Sequence, residues 1–338
     1  MVEHEILKEI ELLNDDGTLK EEGFARRPYF IYDRLKIKAS KLRIKEWDYY
    51  AIFDPVNQNV ICMTFSDLGF AGLFALALID YKNKKVIQKD QIKFFTLHHT
   101  GLAPTPWVNN KISFNDSKFS FIFTKEDEKR HIEVKSEDIN IDAVFLQRES
   151  KESINIATSW KENRKAFYLN EKVIAMTPSS GYVKIRDDYY DIAKNKATLI
   201  LDWGRGRWTR ENTWYWAAAS GFDDDNNPIG FNLGYGFSDR SSASENAFFL
   251  GDKLHKLGNV TFSFKSHSEP WIIKDDEQKL NLTFTPLVPR ISKTDFKVIV
   301  SDQKQIFGYF DGFVILEDGS KKEIKKLMGF AEEVYNKW

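Results

Sequence analysis

Residues 198–239, TLILDWGRGRWTRENTWYWAAASGFDDDNNPIGFNLGYGFSD, constrain the fold more than any other stretch. The segment holds four of the nine tryptophans of the chain: Trp203, Trp208, Trp214 and Trp216. Leu199-Ile200-Leu201 is an apolar run that closes at Asp202. Thr213 to Gly221 is aromatic and alanine-rich without a charge, the pattern of a buried strand. Asp223 to Pro228 is a turn, because Asp, Asn and Pro each favour turn geometry. Gly230 to Phe237 returns as a strand, with Phe231, Tyr235 and Phe237 on one side of the pleat. The segment therefore predicts a hairpin that turns in water and packs inside. Gly204 and Gly206 read as turn or bulge glycines, freed for a positive φ.

The rest of the chain repeats this grammar. Trp47–Phe53 and Asn59–Phe65 predict a hairpin around Asp54-Pro55-Val56-Asn57. Phe70–Tyr81 and Lys85–Leu97 predict another, and residues 111–147 a meander of short alternating segments. Sustained helical periodicity is lacking; Glu5–Leu13 and Lys322–Val334 are the only faint helix candidates. The fold class expected is all-β and mostly antiparallel, as two barrels or sandwiches in tandem. The polar stretch 148–165 suggests a division into residues 1–150 and 151–338. Trp47 and Trp214 both begin aromatic strands followed by Asp/Asn/Pro turns, a weak echo that either a duplication or chance explains.

Composition narrows the function classes. A net charge of −1 with 29% charged residues is an ordinary soluble surface, with no electrostatic footprint for nucleic acid. No apolar run approaches the roughly 18 residues of a membrane helix. The acidic N-terminus lacks the basic start and apolar core of a signal peptide, so a cytoplasmic location is expected. A single cysteine, Cys62, excludes an internal disulfide and a multi-cysteine metal site. The adjacent His98 and His99 would point to opposite faces of a strand and do not suggest a shared metal. Aromatic residues reach 14% of the chain. Most of the phenylalanines suit a β-rich core, whereas tryptophans and tyrosines, with their polar edges, suit a ligand pocket.

No Gly-x-Ser-x-Gly elbow, phosphate-binding glycine loop or His-Glu-x-x-His motif occurs. The available chemistry is carboxylates among aromatic rings. Asp202 lies three residues before Arg205 and five before Arg207, and Glu245 follows a serine-rich turn. A carboxyl in an apolar pocket gains a raised pKa and suits a general acid. The same Asp–Arg pairing equally suits a staple across a glycine turn.

The blocks Leu201-Asp202-Trp203-Gly204-Arg205-Gly206, Trp214-Tyr215-Trp216 and Gly230-Phe231-Asn232-Leu233-Gly234-Tyr235-Gly236 resemble a bacterial family of unknown function. Arg26-Arg27-Pro28, the segment from Leu42 to Tyr50 and the closing Gly329-Phe330-Ala331-Glu332 resemble its other blocks. More distantly, the Trp-Gly-x-x-x-Trp pattern is similar to the two-domain calycin-like proteins. That group includes carotenoid 1,2-hydratases, kievitone hydratase-like proteins, tocopherol cyclase and lipocalin-like Diels–Alderases. The resemblance implies two lipocalin-like barrels or sandwiches and a pocket for hydrophobic ligands. Members of the wider group often carry a histidine near the equivalent turn; this chain has none there.

The function expected is binding of a small apolar molecule or lipid. The first reading is a hydratase, cyclase or isomerase that works by proton transfer and needs no cofactor. Asp202 or Glu245 would supply the acid. Arg205 and Arg207 would hold a polar end of the ligand. Trp47, Trp203, Trp208, Trp214, Trp216, Asn232 and Tyr235 would line the pocket, the rings stabilising positive charge. The alternatives are a non-enzymatic lipid carrier and a carbohydrate-binding or carbohydrate-processing sandwich. The oligomeric state stays open.

Overall fold

The computed structural model describes residues 3–295 and 300–337. Among these residues, the strands form a small two-stranded sheet, one sheet of thirteen and one of nine. The helices are confined to two short 3₁₀ turns, Arg34–Lys36 and Lys41–Arg43. None is long and apolar enough to cross a membrane.

The larger sheet runs, by pairing, from Lys85–Phe94 through Ala71–Asp80, Asn59–Asp67, Ile44–Asp54 and Thr198–Arg207 to the long Asn163–Ile185 strand. It continues through Ile139–Leu146, Lys129–Ser136 and Phe119–Glu126 to Asn110–Asn115. The sheet curls so that its ends meet: Phe74 stacks on Phe114 at 4.0 Å, and Gln91 donates to Asp116 at 3.2 Å. The second sheet is centred on Glu211–Phe222, Lys321–Lys337 and Val300–Ile315. It also curls, setting Tyr235 against Phe262 of its far edge strand at 5.5 Å. The chain is thus two antiparallel half-barrels in tandem.

Three cores follow from the pleat. One face of each curled sheet lines its own interior: Phe65, Phe121 and Trp203 in the first, Phe231, Trp271 and Phe284 in the second. The opposite faces pack against each other. Ile200, Tyr168, Trp208, Trp216, Phe237 and Phe330 fill that middle layer. Phenylalanine therefore builds core, as its abundance implied, while indoles concentrate between the sheets.

The hairpins predicted from Asp/Asn/Pro turns are present. Asp54 pairs with Asn59, and Phe222 with Pro228. The turn carboxylates act as expected: Asp54 accepts from the Val56 and Asn57 amides at 3.1 and 3.0 Å, and Asp223 from Asn227 at 2.7 Å.

Other expectations are corrected. Gly204 and Gly206 are not turn glycines: both lie inside the Thr198–Arg207 strand. Their missing side chains make room for Trp47 and for the Phe167 carbonyl. Neither faint helix candidate is helical: Lys322–Val334 lies inside the Lys321–Lys337 strand, and Glu5–Leu13 contains the short strand Ile10–Glu11, because tertiary pairing overrides a weak helical period. The polar stretch at 148–165 is not where the sheets change. Ile154–Trp160, Asn163–Ile185 and Thr198–Arg207 all pair within the larger sheet, and the second begins at Glu211. The polar residues there belong to the buried strand Ile154–Trp160 and to the exposed turns on either side of it.

Candidate functional site

Alternation along Thr198–Arg207 divides the predicted site in two. Leu199, Leu201, Trp203 and Arg205 point into the first half-barrel, whereas Ile200 and Asp202 point to the middle layer. Asp202 and Arg205 therefore lie on opposite faces, and the expected Asp202–Arg205 pairing does not form. Arg205 instead donates to the carbonyls of Trp47 (2.7 Å) and Ala103 (2.8 Å) and to Asp48 (3.1 Å). Its guanidinium lies 4.3 Å from the Trp203 ring. Arg207 reaches the Lys38 carbonyl at 3.2 Å. Trp203 donates to Ala103 at 3.2 Å. Tyr235 stacks on Tyr215 at 4.8 Å on the inner face of the second sheet. These four predicted residues stand apart from the carboxylates.

The partner of Asp202 is Lys172. The Asn163–Ile185 strand pairs with Thr198–Arg207 so that Lys172 is opposite Asp202 and Asn170 opposite Gly204. Lys172 Nζ lies 3.2 Å from Asp202 Oδ1 and 3.0 Å from Glu245 Oε2, and donates to Asn170 Oδ1 at 2.8 Å. Tyr168 donates to the same Glu245 oxygen at 3.2 Å. Asp202 also accepts from Asn170 (2.6 Å) and from the Trp47 indole (3.2 Å). Burial opposes the Lys172 charge, but Asp202 and Glu245 more than offset it and raise its pKa above the ordinary lysine value.

Aromatic rings enclose this trio. Lys172 Nζ is 4.9 Å from the Trp216 centroid and 6.0 Å from that of Phe237. Trp216 donates to Asn232 at 2.7 Å, and Asn232 donates to the Glu245 carbonyl at 2.9 Å. Trp208 packs on Trp47 at 5.6 Å, on Trp214 at 5.4 Å and on Tyr168 at 5.8 Å. The structure therefore brings together Asp202, Glu245, Trp47, Trp208, Trp214, Trp216 and Asn232.

Sequence reasoning missed Lys172, Tyr168, Asn170 and Glu332. The signal was present for three: Tyr168, Asn170 and Lys172 alternate along one strand and so share a face. Glu332 is set by register alone, opposite Trp216. It accepts from Trp214 (3.1 Å) and Gln305 (3.1 Å). Burial raises its pKa to about 7; the Trp214 bond opposes this, and the Asp202 charge adds to it. It can therefore hold a proton near neutrality. One oxygen of Glu245, Oε1, is buried and accepts no hydrogen bond; it lies against Gly234, where a Cβ would collide with it.

The indoles of the hairpin pack on one another and do not line an open hollow. A cleft of about 700 Å³ opens beside them, lined by Trp160, Asn212, Gly236 and Asp239 among others. Its wall residue Trp160 packs on Trp208 at 5.7 Å and so touches the ring cluster. Among the described residues, no group of three or more His, Cys, Asp or Glu side chains is arranged to hold a metal ion. His98 is buried against Glu46 at 2.8 Å.

Two solved structures share this architecture. One, from Nitrosomonas europaea and provisionally named ATTH, is 12% identical with a TM-score of 0.51, covering 91% of this chain and 98% of its own. The other, kievitone hydratase from Nectria haematococca, is 12% identical with a TM-score of 0.52, covering 87% of this chain and 88% of its own. At these identities the likeness concerns the fold alone, and that fold is the two-domain lipocalin-like architecture expected from the sequence. No curated protein matches the sequence significantly. The family model described as a domain of unknown function, DUF2804, matches residues 3–338, so the chain belongs to the DUF2804 family.

Proposed function

We propose that the chain is an enzyme of proton transfer acting on an apolar, alkene-bearing substrate in the layer between its half-barrels. Hydration, cyclisation and isomerisation are the reactions that fit. The observation that carries the reading is the Lys172 ammonium shared by Asp202 and Glu245 at 3.2 and 3.0 Å inside an aromatic enclosure. Charges in such a place are costly, and a merely structural layer is served as well by apolar side chains.

In hydration, Glu332 delivers its proton to one alkene carbon. Water adds to the other carbon, and its surplus proton passes to Asp202 or Glu245. The faces of Trp216 and Trp47 stabilise the cationic carbon between these steps. This chemistry requires no cofactor. Substrate entry requires rings to move, and the Trp160–Trp208 contact beside the cleft is the place assigned to that movement. A retaining or inverting glycosidase fits less well, because the Lys172 ammonium occupies the gap between the two carboxylates. A cytoplasmic location is part of this proposal, consistent with one buried, free cysteine, Cys62.

The test is deuterium incorporation. The protein is incubated in heavy water with a panel of polyene and isoprenoid alkenes, and products are read by mass spectrometry. The expected result is label in one product, lost in Asp202→Asn and Glu332→Gln while the melting temperature stays within a few degrees. A lipid retained in native mass spectra with no label in any product would make the chain a carrier instead. If Asp202→Asn chiefly lowers the melting temperature and leaves labelling intact, the trio is structural.

A further inference from the structure

One rim of the first half-barrel gathers exposed apolar side chains. Phe94 and Phe95 are 72% and 71% exposed, Leu35 is 89% and Leu42 is 45% exposed. They come from separate segments that are tied into one rim. The Phe95 amide donates to the Phe70 carbonyl at 2.8 Å, and Leu97 to Gly69 at 3.1 Å. His98 Nε2 lies 2.9 Å from the Lys41 carbonyl, next to Leu42, and its Nδ1 lies 2.8 Å from Glu46 Oε2. Arg34, next to Leu35, donates to that same Glu46 oxygen at 2.9 Å.

The loop that carries the phenylalanines is not relaxed. Phe95, Leu97 and His98 take φ angles of +56°, +50° and +64°. Non-glycine residues enter that region at a cost, and they persist there only when the surroundings hold them. Here the rim bonds hold Phe95 out in water. Clustered exposed apolar groups of this kind mark an interaction surface.

Charge indicates the partner. Lys41 and Lys93 are exposed and adjoin Leu42 and Phe94 along the chain, and Lys93 Nζ stands 4.7 Å from the Phe114 ring on the strand face opposite Phe94. The nearby acids Glu46 and Asp67 are buried and engaged, Asp67 by Thr96 (2.6 Å) and Thr100 (3.1 Å). Asp33 caps the Leu35 amide at 2.9 Å. Aromatic side chains at a tip with flanking ammonium groups match the boundary between anionic headgroups and acyl chains. A second copy of the chain is the competing occupant. Lys85, Lys89 and Lys93 along the Lys85–Phe94 edge strand disfavour pairing of that edge with another.

We propose that this rim docks on an anionic membrane surface, with Phe94 and Phe95 entering the interface and Lys41 and Lys93 meeting lipid phosphates. The inference goes beyond the proposed reaction and does not depend on it. The test is sedimentation of the full chain with phosphatidylcholine vesicles, with and without phosphatidylglycerol. Binding is expected to the anionic vesicles and to be weak to the neutral ones. Phe94→Ser/Phe95→Ser should lower the partition coefficient at least roughly tenfold. Lys41→Gln/Lys93→Gln should lower it roughly thirtyfold on anionic vesicles only. Both pairs are exposed, so unchanged melting curves are expected and separate docking from folding. Absence of binding to either vesicle, or wild-type binding by both double variants, would overturn the proposal. So would a concentration-dependent dimer that Phe94→Ser/Phe95→Ser abolishes, because the rim would then belong to a second copy.

Discussion

Trp47 lies against Gly204 so closely that a Cβ at residue 204 would come within 2.0 Å of its indole ring. The two residues are directly paired across neighbouring strands, and the same indole donates to Asp202 at 3.2 Å. A glycine with ordinary strand geometry is thus what lets a tryptophan lie flat on the sheet and reach the buried carboxylate. Gly204→Ala should displace the ring and destabilise the fold by about 1–3 kcal/mol, the usual cost of overpacking. Urea unfolding followed by tryptophan emission measures both effects. A variant with wild-type stability and an unshifted spectrum would refute the close approach.

Asp202 and Glu245 share the Lys172 ammonium, at 3.2 and 3.0 Å. Lys172→Met should leave two buried carboxylates facing each other and cost roughly 3–5 kcal/mol. The triple variant Lys172→Met/Asp202→Asn/Glu245→Gln should recover most of that loss, because no charge then remains to desolvate. Chemical denaturation of the two proteins gives the comparison. Equal stability of single and triple variants would mean that the trio is not electrostatically coupled.

Burial raises the pKa of Glu332 and of Glu171 to about 7. Each group binds its proton more tightly folded than unfolded. Its stabilising contribution is therefore complete below about 4.5, its ordinary value, and is lost as pH rises to about 7. Stability should fall across that window by up to ~3 kcal/mol per residue. Glu332→Gln and Glu171→Gln should each flatten the slope. Lys45, whose pKa burial lowers to about 7, acts in the opposite sense, and its window lies above that value. Denaturation midpoints taken between pH 4.5 and 7 test this; a slope unaffected by both variants would contradict the assignment.

Tyr81 opens the turn after the Ala71–Asp80 strand of the first sheet, yet its hydroxyl reaches the carbonyls of Gly308 (3.1 Å) and Gly329 (2.8 Å), which are paired in the second. Tyr81→Phe should cost about 1–2 kcal/mol, the price of leaving a buried carbonyl unpaired. Because the bond joins the two sheets, the loss should also appear as faster amide exchange at 328–330. Exchange confined to the first sheet would argue against that coupling.

Much of this architecture was legible in the sequence. Period-two alternation and Asp/Asn/Pro turns are local features, so the all-β class and the hairpins at 54–59 and 222–228 followed from them. Asp202 and Glu245 stood out in the sequence only as alternative acids among aromatic residues; that they share one lysine was not legible there. Tertiary structure decided the rest. Register put Arg205 on the face opposite Asp202 and brought Lys172 across from it, because successive side chains of a strand alternate faces and the pairing partner is remote in sequence. Glu332 reached the site only because the last strand pairs with the Trp214 hairpin. The change of sheet after Arg207, not at the polar stretch near 150, was set by which strands found hydrogen-bond partners. Local sequence reports the conformation a segment favours, whereas pairing across long sequence separations determines which core the segment joins: polar Asn155, Thr158 and Ser159 are buried because their strand is paired on both sides.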